Sequence, residues 1–248
     1  MPSISAYKTE LPYSYALGVF PSLALMQAMP RRATRLLLHP EAEGEGVQKL
    51  RTLCAEHRVR EEYAEKALQR ISGKGNCFAA VVFEKWQDRL ATGLPHVVLV
   101  NPMDEGNLGT IQRTLLGLGI VDLAIIRPGA DPFEPRVIRS SMGATFGMRT
   151  RQYEDFSQYR EEFSGHMLYP FMLDGAATLE QAVKRIHCPY TLVFGNEGKG
   201  LASAFSTMGI PVRIPHSEAI DSLNLAVAVA VGTYMFIHGG KEEASCIK

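Results

Sequence analysis

The chain has 248 residues, enough for one large domain or two small ones, and its 46% hydrophobic content is that of an ordinary globular protein rather than a disordered or fibrous one. Its 26 Lys and Arg balance its 26 Asp and Glu, so no global positive field draws it to nucleic acid or membrane, and any such binding must use local patches. Cys54, Cys77, Cys188 and Cys246 lack paired spacing, which makes zinc and disulfide readings weak and predicts a reducing cytoplasm and no metal.

The N-terminus lacks a basic segment followed by a long apolar core, so no secretion signal is expected. From Tyr13 to Phe83 short elements alternate. Phe20-Pro21-Ser22 starts a helix through Met26, Arg35 to His39 predicts a strand, and Val47, Leu50, Leu53 and Cys54 share a helical face. Tyr63, Ala67, Leu68 and Ile71 share another, and Cys77 to Phe83 reads as a buried strand. Glu84 to Pro95 is polar and interrupted by Gly and Pro, as expected of a domain boundary. The expected domains are 1–90, a small α/β unit, and 94–248.

Beyond that boundary strands are predicted at Val97–Val100, Leu123–Ile126, Met148–Tyr153, His166–Met172, Tyr190–Phe194 and Val212–Ile214. Helices are predicted at Leu108–Leu116, from Pro135 to Ser141, at Phe156–Phe163 and at Leu179–Ile186. This alternation implies an α/β fold with a mostly parallel sheet covered on both faces, in which ligands bind beyond the carboxyl ends of the strands.

Three polar clusters fall at such ends. After the first of these strands, Asn107 is placed to cap a helix that carries Arg113 almost two turns further on. After Phe194, Gly195-Asn196-Glu197-Gly198-Lys199-Gly200-Leu201 places three glycines where backbone can approach a ligand closely. The spacing is not that of a nucleotide P-loop, and the dinucleotide fingerprint is absent after the first strand. The third cluster runs from Ile214-Pro215 through His216, read as solvated surface, to Asp221-Ser222-Leu223-Asn224. Asp221 and Ser222 are expected caps for a helix covering the apolar run from Ala226 to Ile237, and Asn224 is an ordinary cap residue as well. That helix is too short to cross a bilayer, which takes about 20 apolar residues. Being apolar all round, it should be buried on most sides, by the core and by a second subunit.

In order and placement, Asn107 with Arg113, Leu192 to Gly200, and Ile214-Pro215 with Ser222-Leu223-Asn224 resemble motifs one, two and three of the SpoU-type (TrmH-like) RNA ribose methyltransferases of the SPOUT superfamily. The resemblance spans roughly Val97 to Ile237, and Asp131-Pro132-Phe133 through Ser141-Met142-Gly143-Ala144 looks like the family segment between motifs one and two. The N-terminal unit resembles the RNA-binding domain many of these enzymes carry, except that Gly75-Asn76-Cys77 replaces the usual His-Gln-Gly. The resemblance implies a C-terminal trefoil knot, a homodimer, and S-adenosylmethionine held by Leu192, Phe194, Gly195, Gly200, Ile214, Pro215, Ser222, Leu223 and Asn224. It implies methyl transfer to a ribose 2′-hydroxyl of structured RNA, rRNA first and tRNA second.

The resemblance gives Arg113 the removal of the hydroxyl proton, with a nearby RNA phosphate assisting. Because a guanidinium normally stays protonated in proteins, Arg113 is expected to bind the reacting ribose and phosphate and to stabilise developing alkoxide charge, with direct proton abstraction left open. Asn107 would orient Arg113 or the ribose. Glu197 would bind Arg113 or brace its loop, and Ser222 and Asn224 would position the substrate or the methyl donor. RNA contact would draw on Arg31, Arg32, Arg35, Lys66, Arg70 and Lys74 in the N-terminal unit, with Arg139 and Lys199 nearer the site. Two rivals remain: a non-catalytic RNA-binding protein that kept the fold, and a nucleotide-binding enzyme using Gly195 to Gly200 for phosphate.

Overall fold

The computed structural model describes residues 4–73 and 77–239. Lys74, Gly75, Asn76 and Cys246, named above, lie outside the described residues. In chain order the elements are β1 (Tyr13–Leu17), α1 (Val19–Ala28), β2 (Ala33–Leu38), α2 (Glu45–Glu56), β3 (Arg60–Tyr63), α3 (Glu65–Ser72) and β4 (Ala79–Glu84). There follow β5 (His96–Val100), α4 (Glu105–Gly117), β6 (Asp122–Ile126), α5 (Pro135–Ser140), β7 (Arg149–Tyr153), α6 (Phe156–Glu162) and β8 (Met167–Pro170). The chain ends with β9 (Ala177–Thr178), α7 (Leu179–Ala182), β10 (Tyr190–Phe194), β11 (Val212–Arg213) and α8 (Leu225–His238).

Two compact units result, Met1–Trp86 with Asp131–Gly147, and Gln87–Ala130 with Met148–Lys248. The first is therefore not contiguous, unlike the expected 1–90 and 94–248. Residues 131–147 join it for a physical reason. Phe133, Ile138 and Phe146 are buried in one cluster with Phe83, Leu36 and Val81, and Trp86 stacks edge-on against Phe133 at 4.6 Å between ring centres. Lys85 donates to the buried Asp131 carboxylate at 2.7 Å, and Ser14 Oγ donates to the Phe133 carbonyl. The sheet of this unit runs β1-β4-β2-β3, antiparallel except for β2 with β3. Tyr63, expected on a helical face, ends β3 instead. Half of the six residues of the expected basic patch have partners within the unit. Arg35 makes a two-pronged pair with Glu62 (2.9 and 2.7 Å), Arg70 donates to the Ile4 carbonyl, and Arg32 lies over the Trp86 ring.

The second unit holds a five-stranded sheet in the order β7-β6-β5-β10-β8, parallel throughout. Its central strands are unbroken apolar runs, with Val97, Val98, Leu99, Leu192 and Val193 fully buried, as a sheet covered on both faces requires. From β5 the chain adds β6 and β7 on one side, then crosses and lays β8 and β10 on the other. The carboxyl ends of β5 and β10 thus flank the switch point, where open parallel sheets form a crevice. β11 pairs with the short β9 beside this end.

At the opposite ends of the strands lies a buried polar chain. His96 contacts the Ala91 carbonyl (2.7 Å) and Tyr159 Oη (2.9 Å), Tyr159 contacts Thr191 (2.6 Å), and Thr191 contacts His166 (3.0 Å), which reaches the Thr92 carbonyl (2.9 Å). Burial pushes His96 down to about 4, helped by the neighbouring His166, and burial lowers His166 too. Cys54 and Cys77 are buried free thiols, whereas Cys188 is disulfide-bonded, against the expectation from scattered spacing.

Candidate functional site

The site is built in the second unit where β5, β8, β10 and β11 end. The loop after β10 closes on itself. Asn196 Oδ1 accepts from the backbone of Gly198 (3.0 Å) and Lys199 (3.1 Å), and Gly200 N donates to the Asn196 carbonyl (2.9 Å). Gly200 needs its positive φ of 65°. A side chain at Gly195 would put Cβ 2.2 Å from the Gly200 carbonyl carbon, so this glycine is required by the loop's own backbone, and not only by a ligand as its position suggested.

Glu197 fastens this loop to the one after β5. Its carboxylate accepts from the backbone of Met103 (3.3 Å) and Asp104 (3.2 Å) and from the side chains of Asn196 (3.2 Å) and Asn107 (3.5 Å). Asn196 also donates to the Asn101 carbonyl at 2.8 Å. Of the two roles expected for Glu197, the structure contains the bracing one. Asn107 Oδ1 in turn accepts from Asn224 Nδ2 at 3.1 Å, so residues from all three sequence clusters meet.

The fold selects one cap for each helix from several candidates. Asp104, not Asn107, caps α4, accepting from Asn107 N at 2.6 Å, which frees the Asn107 side chain for Glu197 and Asn224. Asn224, not Asp221 or Ser222, caps α8, its Oδ1 accepting from Ala226 N (2.9 Å) and Val227 N (3.4 Å). Cap-type residues crowd both approaches, and propensity alone does not choose among them.

Beside this network is a cavity of about 430 Å³ lined by Phe194, Gly195, Glu197, Gly200, Ile214, Ser222 and Leu223 among the expected residues. Leu192 lies fully buried inside β10, and neither Leu192 nor Pro215 nor Asn224 is on the wall. The wall also includes Phe171, Asp174, Val212 and Leu201, and His216, which had been read as surface and whose Nδ1–H donates to the Ile214 carbonyl at 2.9 Å. The segment after β8 was missed, although it too ends a parallel strand. Gly175 was its available signal, since a Cβ there would lie 2.5 Å from the Val212 carbonyl carbon of β11. Phe171 and Phe194 stack at 4.2 Å, and Gly232 of α8 leaves room for them, a Cβ there falling 2.7 Å from the Phe171 ring.

Arg113 stands apart. It is exposed on α4 and has no hydrogen bond or ion pair among the described residues, so it does not join Glu197 within this chain. It shares an exposed stripe with Gly106, Thr110 and Gly117. The neighbouring α8, which packs against α4, is not buried all round as expected; Val227 (48%), Val231 (38%) and Tyr234 (54%) form an exposed stripe. Among the described residues no helix is long and apolar enough to cross a membrane, and no cluster of His, Cys, Asp or Glu is arranged to hold a metal ion.

Comparison with known proteins gives this geometry a family. The family model for the SpoU rRNA methylases matches residues 95–234. An uncharacterized tRNA/rRNA methyltransferase of Synechocystis is 32% identical over 144 residues, covering 56% of this chain and 51% of that protein. A 23S rRNA guanosine 2′-O-methyltransferase of Bacillus subtilis is 28% identical over 159 residues, covering 62% of each. The matched region thus spans about half the length of the first of these relatives. The solved SpoU methyltransferase AviRb from Streptomyces viridochromogenes, in complex with AdoMet, shares the fold with a TM-score of 0.77 at 22% identity, over 90% of this chain and 88% of that one. With all three motifs joined at the switch point of one parallel sheet and more than half of its length matched by the family model, the chain belongs to the SpoU rRNA methylase family.

Proposed function

We propose that this protein is an S-adenosylmethionine-dependent RNA 2′-O-ribose methyltransferase, acting on rRNA or otherwise tRNA, in the cytoplasm and as a homodimer. The observation that carries the reading is the Asn224–Asn107–Glu197 chain, because it joins the three sequence clusters at the rim of a ligand-sized cavity.

The residues present fit a nucleoside-bearing sulfonium. The cavity is within the roughly 300–1,000 Å³ range of small-molecule sites. Phe171, Phe194, Leu201 and Leu223 offer apolar contact, the glycine loop offers backbone donors and acceptors, and the carboxylates of Asp174, Glu197 and Asp221 suit a cation. When bound, S-adenosylmethionine supplies the electrophilic methyl group. The Gly195–Gly200 loop, Ile214 and Leu223 would hold it, and the braced Glu197 keeps that loop at the end of β5. Asn107 and Asn224 are positioned to orient the ribose, which lowers the entropic part of the barrier. Arg113 binds the reacting ribose and its phosphate and stabilises alkoxide charge. Pairing of two copies through the Val227, Val231 and Tyr234 stripe and the adjoining face of α4 would bring Arg113 to the interface, beside the partner's site. The trefoil knot is proposed on family membership, for the chain from β10 to α8. The first unit, with its returning segment 131–147, is assigned to substrate RNA.

Calorimetry is the test. S-adenosylmethionine should bind with one site per chain, and magnesium ATP or GTP should not. Failure to bind S-adenosylmethionine would favour a non-catalytic RNA-binding protein, and magnesium-dependent nucleotide binding would favour a phosphate-loop enzyme.

A further inference from the structure

The first unit carries an exposed feature that its folding does not explain. Phe20, in the first turn of α1, is 72% exposed, whereas Leu25 and Met26 further along the helix are fully buried. Met142, just beyond α5, is 50% exposed and holds a left-handed φ of 53°. That conformation ends α5, with Met142 N and Gly143 N donating to the Arg139 and Ile138 carbonyls, and it leaves the Met142 side chain outside the core.

The backbone segments that carry these two residues adjoin at the turn that follows α5. Gly143 seats that turn on α1, since a Cβ there would lie 2.5 Å from Ala24 Cβ and 3.5 Å from Pro21 Cα. Arg139 belongs to the same corner. Met142 N donates to its carbonyl at 3.0 Å, and the buried Cys77 thiol feels both the Gly18 backbone and the Arg139 charge. Arg139 is exposed and has no ion pair among the described residues, unlike Arg35 or Arg51 of the same unit.

We propose that Phe20, Met142 and Arg139 form a stacking platform for an unpaired base of the substrate RNA, the guanidinium holding the adjoining phosphate. The identity of the partner rests on the methyltransferase reading, and the position of the platform rests on the exposure and charge of these residues. An exposed aromatic face and an exposed cation without an ion pair among the described residues, carried on adjoining segments, match the π-face and the phosphate of a nucleotide. Two apolar side chains are too small a patch for a stable protein partner, which buries about 1,200–2,000 Å².

The test uses the full chain with a fluorescent uridine oligonucleotide, single-stranded or paired with its complement. The single strand should bind better than the duplex. Phe20→Ser should weaken single-strand binding by about fivefold to a hundredfold, as loss of one stacked base does, and Phe20→Tyr should restore it. Arg139→Gln should lower the salt dependence of binding by about one counterion. Calorimetry with S-adenosylmethionine should give the wild-type result in each variant, and circular dichroism with a wild-type melting profile should report that both units are folded. Unchanged single-strand affinity in Phe20→Ser with S-adenosylmethionine binding intact would overturn the platform alone. Loss of S-adenosylmethionine binding by the wild-type chain would instead overturn the methyltransferase reading.

Discussion

At the scale of single residues, Asn224 does two things that can be separated. Its Oδ1 caps α8 and its Nδ2 donates to Asn107. Asn224→Asp keeps an oxygen for the cap and sets a second oxygen against Asn107 Oδ1. Its stability should stay within about 0.5 kcal/mol of wild type, while Asn224→Ala should lose about 0.5–2 kcal/mol by uncapping the helix. Methyl transfer should fall at least tenfold in both. Denaturant melts set beside turnover measure the pair, and a fully active Asn224→Asp would remove the network from the account. The candidate residues were legible as polar clusters at strand ends. Their pairings were not, because Asp104 and Asn107, or Asp221, Ser222 and Asn224, are equally good caps in sequence and only the folded chain decides which side chain is left over.

At the scale of elements, β5, β6 and β10 were legible because a strand buried on both faces is an unbroken apolar run. β1, β3 and β9 were missed. β3 reads Arg-Glu-Glu-Tyr and is held by pairing with β2 and by the Arg35–Glu62 and Arg51–Glu61 pairs, so it lacks an apolar signature. The apolar run of α8 hid its exposed stripe, since sequence does not show which apolar side is covered.

The histidine chain linking β5, α6, β8 and β10 makes a prediction at this scale. With both imidazoles neutral, its five contacts share four hydrogens, so one contact lacks a donor. Opposing this, an imidazolium at His96 would be desolvated and would lie near His166 and Arg149, with Asp122 the compensating charge. Burial wins and holds His96 to about 4, below the unfolded value of about 6.5. The unfolded chain then binds more protons between those values. Stability from this group is complete above about pH 6.5 and falls by roughly 3 kcal/mol as pH drops toward 4. Denaturant melts across this window measure the loss, and an NMR titration of His96 identifies its source. A His96 pKa above 6.5 would mean that the missing hydrogen outweighs burial.

At the scale of the whole molecule, a zero net charge leaves the proposed RNA binding to local features. Of the basic residues chosen from sequence, Arg32, Arg35 and Arg70 proved committed to partners within the first unit, which their count could not reveal. The return of 131–147 to the first unit was equally hidden, because Phe133, Ile138 and Phe146 look like core residues of whichever unit precedes or follows them. The exposed Val227, Val231 and Tyr234 predict association. Sedimentation at micromolar concentration should give a dimer for the wild-type chain and a monomer for Val231→Glu, which sets a charge into that stripe. A wild-type monomer would contradict the dimer.

The methyl transfer proposed at the switch point is measured by incubating purified chain with isotope-labelled S-adenosylmethionine and unmodified ribosomal and transfer RNA, followed by nuclease digestion and mass spectrometry. Label is expected in one 2′-O-methylnucleoside, reduced by about a hundredfold or more in Arg113→Ala, whose exposed site leaves the fold intact. Label on a base, or undiminished transfer by Arg113→Ala, would contradict the proposal.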